Sequence, residues 1–163
     1  MAPGMGSNQG DTWLWHANEL HDNHGGLLAV VRSDVIYTDD ERILVEYSPG
    51  PLRFSCRATT ADGEVITVRQ PGLTISRLDA HCGDRTYELA RRTIWRKERE
   101  IRLPDPNTGS SRVAVVVRPK SSGDVEVVDG EGSDLMPLRD AIVLSWACVL
   151  VDAPVRRPRA GRR

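Results

Sequence analysis

His16, His21 and His24, with Glu19 and Asp22 between them, form the densest group of possible metal ligands in the chain. Zinc needs three or four donors converging tetrahedrally, and the His21-x2-His24 spacing supplies two of them. No second cluster completes a set, and polar loops also gather His and Asp for solvation alone. These histidines are therefore weak candidates, and neither a metal nor another cofactor is expected. Nucleophile arrangements are weaker still: there is no GxSxG elbow, no HExxH and no Cys–His signature in context. Cys82 stands beside His81, but neighbours along a strand point to opposite faces. Gly4-x-Gly6 precedes no strand, Gly130-x-Gly132 is a loop ahead of a helix, and Asp39-Asp40 sits in a turn. With no catalytic residue to nominate, the chain reads as a non-enzymatic binding or scaffold module. A metal- or ligand-dependent enzyme built around His16, His21 and His24 is the alternative.

The basic residues offer a different chemistry. Arg91, Arg92, Arg96, Lys97, Arg99 and Arg102 surround Trp95, and on a strand Arg92, Arg96 and Arg102 would share one side. Such a face suits anionic headgroups, where each basic residue adds about 1 kcal/mol near the surface. Glu88, Glu98 and Glu100 dilute it, and a merely solvated strand face is the competing reading. The last nine residues hold five arginines, Arg156, Arg157 and Arg159 among them, and no acid. The rest carries 17 basic against 23 acidic residues, an acidic body with a cationic tether. The partners this implies are an anionic phospholipid surface or a protein, met through the outside of the fold. Weak nucleic-acid binding by the tail ranks last, because nothing in the body resembles a reader of bases.

These side chains need a scaffold, and 163 residues suit one domain. Residues 1–11, Gly-rich and poor in apolar side chains, read as disordered, and 154–163 as a flexible tail. Three cysteines without a CxxC pair, and no apolar leader at the start, point to a reducing cytoplasmic setting, with peripheral membrane contact allowed. Residues 12–153 form the domain. Short apolar runs alternate with turn chemistry, as in an antiparallel β domain: 26–32, 43–47, 52–60, 64–69, 73–78, 85–90, 112–117 and 125–128. Ser48-Pro49-Gly50-Pro51 and Asp62-Gly63 separate neighbouring strands. Residues 88–103 favour helix by propensity, yet Trp95, Ile101 and Leu103 share one parity and Asp105–Gly109 is a turn. A hairpin over 93–118 is therefore expected, with helix as the alternative.

The last third differs. From Ala141 to Val151 every residue but Ser145 is apolar, Pro137 and Asp140 suit a first turn, and Pro154 is a stop. A helix over 137–152 that leaves no face to water must be buried. Its apolar stretch spans roughly 16 Å, short of the ~20 residues a bilayer needs, so it belongs in a protein core.

Asp22-Asn23-His24-Gly25 leading into LLAVVR, Ala61-Asp62-Gly63-Glu64 leading into VITVR, and Glu100–Leu103 with DPNTGSS and RVAVVV make a run of antiparallel strands. That run ends in MPLRDAIVLSWACVLVD. Over roughly residues 12–153 this resembles the tubby C-terminal-like superfamily, which includes LURP-one-related proteins and phospholipid scramblases. The arginine-rich, Gly/Ala/Val-heavy style also resembles actinobacterial proteins. The resemblance implies a mainly β fold, an antiparallel barrel of ten to twelve strands around a hydrophobic C-terminal helix. It carries over no lipid-contacting residue, because no residue-level motif matches.

Overall fold

The computed structural model describes residues 11–48, 53–93, 95–105 and 107–152. Twelve strands follow in order: β1 (Thr12–His16), β2 (Glu19–His21), β3 (Leu27–Arg32), β4 (Val35–Tyr37), β5 (Arg42–Ser48) and β6 (Ser55–Thr59) make the first half. β7 (Val65–Arg69), β8 (Arg77–Cys82), β9 (Arg85–Arg91), β10 (Arg99–Pro104), β11 (Ser111–Pro119) and β12 (Val125–Asp129) make the second. Each strand pairs antiparallel with the next, and β1 pairs with β12 through Thr12↔Val128 and Trp15↔Val125, which closes the barrel. Closure removes the free sheet edges that an open antiparallel sheet would present.

Side-chain alternation explains the strands. Phe54, Cys56 and Ala58 point inward while Arg53, Ser55 and Arg57 face water, the period of two that one wetted face demands. The Asp62-Gly63 hairpin forms as expected: Gly63 has φ of +90°, which an L side chain resists, and the Thr60 hydroxyl donates to Asp62.

Three strands escape the sequence reading. β2 and β4 have three residues each, too short to show a period, and β1, at the start of the domain, is assigned no strand. The strand expected at 73–78 lies at 77–82 instead. Residues 70–76 are a connection, and Gly83-Asp84 turns the chain into β9. Within 93–118 the hairpin is real, but its first strand begins only at Arg99, so Trp95 is not on a strand.

Inside the barrel lies α1 (Leu138–Asp152), with twelve of its fifteen residues buried. Each large aliphatic side chain so removed from water contributes about 1.5–3 kcal/mol. The one buried hydroxyl on this apolar rod is satisfied twice: Ser145 Oγ accepts from Trp15 Nε1 at 2.9 Å and donates to the Ile142 carbonyl at 3.1 Å. Trp146 stacks obliquely on Trp15, ring centroids 4.9 Å apart. No described helix is long and apolar enough to cross a membrane.

One wall residue is poorly served. Both carboxylate oxygens of Asp129 are buried without a hydrogen bond among the described residues, and burial, then the nearby Asp11, raise its pKa to about 6. A raised folded-state pKa means stability is fully present below the unfolded value near 4 and is lost as pH climbs through 6. Asp129→Asn escapes that loss. Its midpoint is expected to match the parent at pH 4 and to exceed it at pH 8 by about 2–4 °C. That corresponds to roughly 1 kcal/mol once the shift is discounted for partial exposure. Thermal melts at the two pH values check this.

Candidate functional site

An up-and-down barrel sends alternate connections to opposite ends. Among the described residues, 17–18, 33–34, 53–54, 70–76, 92–93, 95–98 and 120–124 meet at one rim, and the remaining connections at the other. Two carboxylates of α1 mark these ends. Asp140, fully buried, accepts from Arg85 Nε at 2.7 Å, Arg85 Nη2 at 3.0 Å and the Tyr87 hydroxyl at 2.5 Å. Burial first, then the bond to Asp140, pushes the Tyr87 phenol up and keeps it protonated. Arg139 extends the cluster to Glu41 at 2.7 Å and Glu64 at 3.3 Å.

At the opposite end Asp152 accepts from Arg99 Nε at 2.5 Å, Arg99 Nη2 at 2.9 Å and Arg91 Nη2 at 2.9 Å. Arg99 is wholly buried and also donates to the carbonyls of Leu89 and Ile75. These clusters lock the helix ends to the wall; their hydrogen-bonding capacity is spent on protein partners rather than turned toward a cleft.

The other chemistry-bearing residues do not converge. His16 lies at one rim, bonded to Asp124 at 2.8 Å, while His24 sits in a connection at the other. His21 pairs with Glu19 at 3.1 Å. Among the described residues no group of three or more His, Cys, Asp or Glu is placed to hold a metal ion, and His16, His21 and His24 are not brought together. Cys82 faces the core while His81 faces water. Gly130 forms no phosphate cradle: its amide donates to Ala114 O, and a Cβ there would stand 2.3 Å from Val113 O.

All three thiols are buried; burial raises Cys56 and Cys148 to about 12, and burial, then the nearby Asp140, pushes Cys82 up too. The native protein is therefore expected to give less than about 0.1 equivalent of fast-reacting thiol with an aromatic disulfide reagent at pH 8, and three equivalents in denaturant. A fast native equivalent would contradict the packing.

Most of the arginine group predicted for membrane contact proves to be paired. Arg99 is inside the protein, and Arg91, its side chain 17% exposed, binds Asp152. Arg92 meets Glu98 at 2.7 Å and Glu100 at 3.2 Å; Arg102 meets Glu100 at 2.7 Å and Ser111 Oγ at 2.7 Å. Arg92 and Arg96 are not on a strand and cannot share a strand face with Arg102. Arg96 and Lys97 remain exposed, without an ion pair among the described residues. Arg156, Arg157 and Arg159 lie outside the described residues, as do 1–10.

What remains at this rim is a lip of two neighbouring connections. Trp95, in 92–98, is 87% exposed, and Leu73, in 70–76, is 90% exposed; no other large hydrophobic among the described residues is so open. The lip is braced from below. Arg91 N donates to Ser76 O at 2.8 Å, Arg92 N to Glu98 O at 3.0 Å, and Arg99 holds Ile75 O from the core. Two open depressions of about 550 Å³ lie on the adjoining outer wall, lined in part by Arg53, Arg57 and Arg69, which have no ion pair among the described residues. The sequence pattern places Leu73 on a strand and Trp95 on the parity of a hairpin. Pro71-Gly72 immediately before Leu73 was the available signal of a projecting turn.

No family model, curated protein or solved structure matches this chain.

Proposed function

We propose that this protein is a non-catalytic docking module of the tubby-like kind that seats on anionic phospholipid through the lip carrying Trp95, Leu73, Arg96 and Lys97. The observation that carries the reading is the pair of open apolar side chains flanked by unpaired cations on braced loops. Trp suits the interfacial region of a bilayer, with an apolar body and a polar N–H. Inserting Trp95 and Leu73 contributes about 1.5–3 kcal/mol each, and each nearby cation about 1 kcal/mol. Neither signal anchors alone, but together they reach the two-signal regime of reversible membrane binding. The interior supports the same reading, because α1 fills it and leaves function to the outside.

Flotation with vesicles containing phosphatidylserine tests it. The parent is expected to float with anionic vesicles and at least tenfold less with neutral ones. Trp95→Ala with Arg96→Glu and Lys97→Glu should lower the anionic partition at least tenfold while the melting midpoint stays within 2 °C of the parent. Equal flotation by parent and triple variant would refute docking by this lip.

A further inference from the structure

Charge is sorted along the barrel axis. The six connections at the rim opposite the lip, residues 22–26, 38–41, 60–64, 83–84, 105–110 and 130–137, hold ten Asp and Glu and not one Lys or Arg. The connections at the lip rim hold Arg53, Arg92, Arg96, Lys97 and Lys120 against Asp34, Glu98 and Asp124. Of the strand ends on that rim, five are arginine and one is acidic, Glu19. Arg139 and Arg85 pair with Glu41, Asp62, Glu64 and Asp84 at the acidic end, which leaves Asp22, Asp39, Asp40, Asp105, Glu131 and Asp134 without an ion pair among the described residues, and the chain carries an axial dipole.

The connections of the lip rim also differ in length. The connections 17–18 and 33–34 are tight two-residue turns, with Ala17, Ser33 and Asp34 all at positive φ. The seven-residue connections 70–76 and 92–98 stand side by side elsewhere on the rim.

From these features, and resting on the membrane reading above, we infer that the module stands end-on. It touches the bilayer with the 70–76 and 92–98 lip, keeps its axis nearer the membrane normal than the plane, and turns the acidic rim to water. The fifteen residues of α1 separate the two rims by about 22 Å at 1.5 Å per residue. That exceeds the Debye length of about 8 Å at physiological salt. In the upright pose the carboxylates are screened from anionic lipid; tipping the barrel over brings them within range and is resisted. The dipole thereby also sets which end arrives first.

Trp95 is a built-in depth reporter, because Trp13, Trp15 and Trp146 are at most 7% exposed. The three buried thiols leave an introduced cysteine free to take a single dye. Vesicles of phosphatidylserine with bromine-bearing acyl chains should quench at least half of the Trp95 emission. With nitroxide-bearing lipid, a dye at Thr74→Cys on the lip should be quenched at least threefold more than one at Thr67→Cys on the wall. A dye at Asp84→Cys on the far rim should not be quenched. Reversing charge at the far rim with Asp39→Lys and Asp40→Lys should lower the Thr74-to-Thr67 ratio at least twofold.

Equal quenching at Thr74 and Thr67 means the barrel lies flat; quenching at Asp84 means it is inverted. An unchanged ratio on charge reversal removes the dipole as the orienting cause. Each overturns the pose while flotation persists. Loss of flotation by the parent chain instead takes down the docking reading itself.

Discussion

Asp152→Ala is expected to destabilise the fold by about 3–5 kcal/mol, the cost of breaking a buried ion pair by removing one partner. Arg99 is wholly buried, and Asp152 takes two of its donors. Without Asp152 the guanidinium keeps only the Leu89 and Ile75 carbonyls for a full positive charge. Arg91, mostly buried itself, loses its partner as well. The damage falls where α1, β9, β10 and the 70–76 connection meet, so the lip should loosen with the core. Urea unfolding checks the magnitude. The coupling is checked by Arg99→Met with Asp152→Leu, which leaves no unpaired charge at either position. That double variant is expected to lose less than the two single variants added together, though the freed carbonyls prevent full recovery. Strict additivity would mean that Asp152 and Arg99 do not act as a pair.

Ala141→Asp should fail to fold. Ala141 is fully buried one residue after Asp140, whose carboxylate already occupies Arg85 and Tyr87. A second carboxylate, next in sequence and pointing elsewhere round the helix, finds the apolar inner wall and no free cation among the described residues. Leaving a charge unpaired in such a place costs several kcal/mol, set against a total stability of about 5–15 kcal/mol for a domain. Loss of the near-ultraviolet circular dichroism of the buried tryptophans would report it. Leu135→Asp is the matched control: at 44% exposure, just ahead of α1, it should change stability by no more than about 0.5 kcal/mol. A folded Ala141→Asp of parental stability would mean the helix does not fill the barrel as described.

The two variants bear on different levels of the molecule. Ala141 could be chosen from the sequence, because an apolar run bracketed by Pro137 and Asp140 is legible without neighbours. Asp152 could not. Its role depends on Arg99, 53 residues earlier in the chain, which in sequence reads as one of a basic group suited to anionic headgroups. The same holds for Arg91, Arg92 and Arg102, which read as a cationic face and are held by Asp152, Glu98 and Glu100.

Local pattern sufficed wherever the determinant is near-neighbour chemistry. Alternation over 53–58, Asp62-Gly63, the RVAVVV strand and the all-round apolar helix each follow from residues within a few positions of one another. From these an antiparallel β domain with one buried helix follows, because such a helix must be enclosed and the strands supply alternating faces; the closed barrel around it is what the resemblance implied. The short strands β1, β2 and β4 exist because the barrel closes, pairing β1 with β12 across more than a hundred residues. The tertiary structure alone decided which charges neutralise each other, that Trp95 and Leu73 share one lip, and that acidic and basic connections collect at opposite rims. These are properties of distance through space, and an up-and-down barrel sets that distance by the parity of each connection, which a miscounted strand scrambles.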